Sequence, residues 1–321
     1  MNFEVKDLAG ISKPIGKLIE VVSAGIGGLY RPNSMRKNAD AQSYAIRTLA
    51  NAEAEAEIIK TTGKVRAKMA GITTLAGENT ELIERAKLRL LTREVEGQLN
   101  TEAVAEQALL LLPDTVSDIP VSEDWRRKFF IEVENICDHD LQLLWGKVLA
   151  GEVTVPGSYS LRTLEVLKHL SKEDAEVFRQ ACNLSFADGW IMKPGVDHSR
   201  CLESYGLTYD ALLTLRDAGL MFEGDTLIKD WSRLVNLPSM ILSNNGIYIQ
   251  ISGANFHAQT IPSLPFTRAG RELQNLLTPN PCLPYIQVVV EYFRARGFVC
   301  KKGNQVLTES GHTVLSFDEE F

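Results

Sequence analysis

The chain has 321 residues, 45% of them hydrophobic and 23% charged, with a formal net charge of −7. That length and apolar content suffice for two ordinary domains and exclude a chain that cannot build a core. The acidic balance argues against a protein that coats nucleic acid.

The opening MNFEVKDLAG is charged and lacks an apolar run with a cleavage site, so no signal peptide is expected. No stretch reaches the roughly 18 apolar residues of a spanning helix. The five cysteines, Cys137, Cys182, Cys201, Cys282 and Cys300, include no Cys-x-x-Cys pair, so reduced thiols in a cytoplasmic protein are expected.

Ser12 and Pro14 signal a helix start, and Ile11, Ile15, Leu18, Val22, Ile26 and Leu29 follow at spacings of three and four. This amphipathic leader is basic, with Lys13, Lys17 and Arg31, which suits a partner or an anionic membrane surface contacted by Lys13, Lys17, Ile26, Leu29 and Arg31. The small residues Ser23, Ala24, Gly25, Gly27 and Gly28 favour close approach of another helix over a lipid interface. Residues 34–60 carry a thin stripe of Ala39, Ala45, Ile46, Leu49, Ala52, Ala56 and Ile59, which reads as a stalk that packs on another copy of itself.

Further helices are expected over 64–97 and 101–112, with Leu109 to Leu112 buried. A core helix is expected from Trp125 to about Gly151, because Ser122, Glu123 and Asp124 set its start and Phe129, Val133, Leu141, Leu144, Trp145 and Val148 form a wide apolar face. The turn Pro156-Gly157-Ser158-Tyr159 leads to a helix opened by Ser160, and Ser171 with Asp174 reads as a capping box.

Beyond residue 187 the composition turns richer in Gly, Pro and Asn. A helix is expected over 207–215, a hairpin over 246–261, helices from Thr267 to Leu277 and over 281–296, and strands over 298–307. Thr267 to Gly270 and Thr308 to Gly311 share a Thr-x-x-Gly pattern. The expected fold is mainly α: an N-terminal leader and stalk (1–62) and a helical bundle (63–186), followed by a smaller α+β winged-helix-like module (187–321). The helices that would read a major groove carry Tyr209, Asp210, Arg216 and Asp217, or Arg268, Arg271, Glu272 and Gln274. Neither face is basic, so nucleic acid is not the favoured partner.

No metal-ligand spacing links His139, His169, His198, His257 and His312, and no phosphate loop or nucleophile elbow appears. Cys137 and His139 lie too close in sequence to meet across a helix as nucleophile and base. No catalytic residue, cofactor or metal is therefore expected. Ser158, Ser160 and Arg162 place hydroxyls and a guanidinium at a helix start, where backbone amides favour an anion or a partner's acidic group. The blander alternative is a cap by Ser160 and an ordinary ion pair by Arg162.

The run Leu144-Trp145-Gly146-Lys147-Val148-Leu149-Ala150-Gly151-Glu152, continued by Pro156-Gly157-Ser158-Tyr159-Ser160-Leu161-Arg162-Thr163-Leu164, resembles the signature of an uncharacterised bacterial domain family. Lys13-Pro14, Gly25-Ile26-Gly27 and Tyr30-Arg31-Pro32 resemble it too. The Leu-Trp-x-x-x-Leu-Ala portion is similar, more distantly, to alpha-type abortive-infection proteins of antiphage defence. The resemblance implies a defence role. With the missing catalytic motifs, the stalk and the basic leader, the expected protein is a non-enzymatic defence or stress-response protein, a homo-oligomer that meets a phage or host protein or touches the inner membrane face. The alternatives are a nucleic-acid-binding regulator and a cryptic nuclease or nucleotide hydrolase built from dispersed acids.

Overall fold

The computed structural model describes residues 12–28, 30–32, 80–194, 200–224, 227–234, 237–254, 256–307 and 313–321. The stalk expected over 34–60, Leu29 and the second Thr-x-x-Gly turn lie outside them. The chain divides into two compact units, one ending at Ser158 and one beginning at Tyr159. The two helices that follow Ser160, expected with the helical bundle, belong to the second unit.

The first unit is helical. Helix α1 (Lys13–Ile26) opens with Pro14, which gives up an N–H that a first turn leaves unpaired anyway, and stops at Gly27 in the left-handed region (φ 70°). Leu18, Ile19, Val21 and Val22 are buried. Helix α2 (Thr80–Leu110) runs through Gly97 without the break expected after residue 97. Helices α3 (Glu123–Val133) and α4 (His139–Thr154) replace the single long helix expected from Trp125 to Gly151. The cause is Asp138, whose side chain accepts the N–H groups of Asp140 and Leu141 and so starts a new helix.

Phe129 stacks on Trp125 at 4.8 Å between ring centroids and meets Trp145 edge-on at 5.4 Å, forming the centre of the core with Val104, Val148 and Leu149. Each such buried side chain contributes about 2–3 kcal/mol. Glycines set the helix spacing: a Cβ on Gly146 would lie 2.6 Å from Gln107 Cβ, and one on Gly25 would strike the Phe130 ring. Of the leader's small residues, Gly25 thus serves close helix packing within this unit, whereas Gly27 and Gly28 have open space beside them. Leu110 and Leu111, expected in the core, are exposed.

The second unit mixes helices and strands. Helices α5 (Leu161–His169) and α6 (Lys172–Leu184) are capped by Ser160 and by the Ser171–Asp174 box. After β1 (Trp190–Met192) come α7 (Tyr209–Asp217), β2 (Leu227–Asp230), β3 (Ser239–Asn244), β4 (Ile247–Ser252), β5 (Thr260–Pro265), α8 (Arg268–Gln274), α9 (Leu283–Arg294), β6 (Val299–Leu307) and β7 (Thr313–Glu320). They form two antiparallel sheets, of three strands in the order β1-β5-β2 and of four in the order β3-β4-β6-β7. Ile249, Ile251 and Cys300 of the larger sheet are buried, as are Ile286, Val289 and Phe293 of α9, and the Cys300 thiol reaches the Val290 carbonyl.

These sheets correct the expectation of a mainly α protein with a smaller winged-helix-like module: the fold is α+β. The expected 246–261 hairpin does not exist, because its two strands lie in different sheets. The true hairpin is β3–β4, closed by Asn245 and Gly246, both at positive φ (47° and 89°). Asn-Gly is the dipeptide that a tight two-residue hairpin turn favours.

Candidate functional site

The signature segment builds structure first. Trp145, Val148 and Leu149 are fully buried, and Gly146 admits α2. Glu152, almost wholly buried, accepts the N–H of Gly157 at 2.7 Å and so holds the turn, with Gly157 at φ 89°. The Ser158 hydroxyl closes the same turn on the Val155 carbonyl at 2.6 Å.

At the start of α5 the Ser160 hydroxyl accepts the Thr163 N–H at 3.3 Å, while the Glu272 carboxylate of α8 accepts the Ser160 N–H at 2.7 Å and the Thr163 hydroxyl at 2.5 Å. Arg268 donates to the other oxygen at 2.6 Å. Burial opposes ionisation of Glu272. The Thr163, Ser160 and Arg268 donors outweigh it and hold the carboxyl below the usual carboxylate range. The anion position that Ser160 offers is thus filled by the chain's own carboxylate.

Arg162 points elsewhere: it is exposed and lines an open groove of about 670 Å³ with Glu165, His169, Asp174, Thr214 and Asp217. Ser160 and Arg162, adjacent in the signature, therefore serve different surroundings. In the basic leader, Lys13 pairs with Asp118 at 2.5 Å and Lys17 donates to the carbonyls of Ser117 and Ile119 at 2.7 and 2.9 Å. Ile26 is half-buried and Arg31 exposed.

Among the described residues, α2 carries an exposed apolar stripe. From Glu81 to Leu99 α2 shows almost nothing but exposed side chains, and Leu88, Leu91, Val95 and Leu99 recur at spacings of three and four along one face, with Leu88 67% exposed. Ion pairs Glu81–Arg85 and Glu84–Lys87 precede that stripe along the helix. The spacing was visible in the sequence; the exposure was not, because the same stripe is what a core helix shows.

Among the described residues no group of three or more His, Cys, Asp and Glu is placed to hold a metal ion, and no helix is long and apolar enough to cross a membrane. Burial pushes the Cys182 and Cys300 thiols up, whereas Cys137 is exposed.

These features define a two-unit α+β protein that presents an apolar helix face in one unit and a charged groove in the other. The chain belongs to the family described as a protein of unknown function (DUF2806), which matches residues 84–290. That match takes in the exposed half of α2 and the whole signature segment. No curated protein and no solved structure matches the chain.

Proposed function

We propose that this is a self-assembling interaction protein of bacterial antiphage defence or stress response, acting by association rather than by catalysis. The observation that carries the reading is the face of α2 formed by Leu88, Leu91, Val95 and Leu99. Burying what remains exposed of each of these side chains is worth about 1–2 kcal/mol, and a second copy supplies a matching stripe. Assembly through α2 is then a property of the first unit. The second unit, with its groove at Arg162, is left to meet the phage or host partner. The defence setting rests on the resemblance of the Leu144 to Ala150 segment to abortive-infection proteins.

Two experiments test the parts separately. Sedimentation velocity on the full chain from low to high micromolar concentration is expected to show mass growing with concentration, and one monomeric boundary throughout removes the assembly. Phage plating on cells with and without the protein is expected to fall for some phages; equal plating across a broad panel removes the defence role.

A further inference from the structure

In the first unit the start of α1, the loop 113–121 and the first turns of α3 enclose a cleft of about 390 Å³, lined among others by Lys13, Lys17 and Arg126. Three cations face two carboxylates there, Asp118 and Glu20. The positive end of α1 adds to the excess, since Ser12 makes no side-chain cap. Arg126 Nε is buried and has no acceptor among the described residues. The cations also feel one another: after burial, the charge of Lys13 is the largest influence lowering the proton affinity of Lys17.

Lys17 is committed to the cleft wall, where it ties down the carbonyls of Ser117 and Ile119. Lys13 holds Asp118, whose side chain is 89% exposed, so a competing anion displaces a carboxylate that water already solvates well. A guanidinium and an ammonium at one cleft, beside the positive end of α1, suit an oxyanion with several acceptors, and phosphate meets that demand better than a single carboxylate.

We propose that this cleft binds a phosphate-bearing anion through Arg126 and Lys13, beside the positive end of α1. The inference goes beyond self-assembly and does not depend on it. A free phosphate compound and a phospholipid headgroup offer the same group, and the cleft recognises that group.

The test uses the full chain at low salt, with inorganic phosphate by calorimetry and with phosphatidylcholine vesicles with or without phosphatidic acid by flotation. Arg126→Gln is expected to weaken binding at least about tenfold through loss of a charge-assisted bond. Asp118→Asn, which removes the competing carboxylate, is expected to tighten it about two- to fivefold. Opposite responses of two variants with unchanged circular dichroism separate binding from misfolding. Phosphate binding without flotation assigns a free phosphate compound, and flotation that Arg126→Gln abolishes assigns a headgroup. The proposal falls if neither probe binds, or if Arg126→Gln binds as the wild type does.

Discussion

The Thr163 hydroxyl of α5 donates to the Glu272 carboxylate of α8, which also accepts the N–H of Ser160. The open end of one helix is thereby closed by an acid from a helix more than a hundred residues away in sequence, and a site that invites an external anion holds an internal one.

Glu272→Gln is expected to destabilise the protein by about 1–2 kcal/mol at pH 7, because hydrogen bonds to a charged acceptor are stronger than those to an amide. The donors hold the carboxyl below the ordinary glutamate value in the folded chain. Its contribution is therefore complete above about pH 4.5 and is lost as pH falls through the lower folded value. Thermal melts of wild type and variant from pH 7 down to pH 3 should converge at the acid end. Parallel curves would show that the carboxylate contributes nothing specific.

Two glycines in helices are expected to respond with opposite sign. A Cβ at Gly97 would sit 3.4 Å from Glu134 Cβ, an ordinary contact, so Gly97→Ala should stabilise by up to about 1 kcal/mol through helix propensity. A Cβ at Gly146 would lie 2.6 Å from Gln107 Cβ and 3.1 Å from the Ala108 nitrogen, so α2 and α4 must move apart. Gly146→Ala should cost about 1–3 kcal/mol. Urea unfolding of both variants decides it, and equal midpoints would contradict the packing described for α2 and α4.

Local signals carried far in this sequence and long-range ones did not. The Ser160 cap, the Ser171–Asp174 box and the Pro14 start depend on neighbours within four residues, and each forms as read. The helix break at Asp138 was missed because the apolar periodicity runs across it while the cap that makes it is a single side chain. Strand partners were misjudged because Ile249 and Ile261 look alike in sequence, although one lies in the four-stranded sheet and the other in the three-stranded. The signature was legible as a pattern but not as a role: Trp145 and Glu152 turned out to hold a core and a turn, and Glu272 has no mark in sequence that ties it to Thr163.

The thiols divide by burial. At mildly alkaline pH, Ellman's reagent should modify Cys137 fastest in the native protein, since it is exposed and the others are buried or half-buried. Cys182 and Cys300 are buried with thiols pushed up by desolvation, and should react at the rate of unfolding. Mass mapping of the labelled sites checks the order. Rapid labelling of Cys182 would contradict the packing of α6.

Self-assembly through α2 is the central claim, and a charge placed on its apolar face tests it most directly. Leu88 and Leu91 are exposed, so glutamates there should leave the fold and its melting temperature intact. Light scattering coupled to size exclusion is expected to give an oligomeric molar mass for the wild type and the mass of one chain, 35.6 kDa, for the Leu88→Glu, Leu91→Glu double variant. A wild type that elutes as a monomer, or a double variant that keeps the oligomeric mass, would contradict the account.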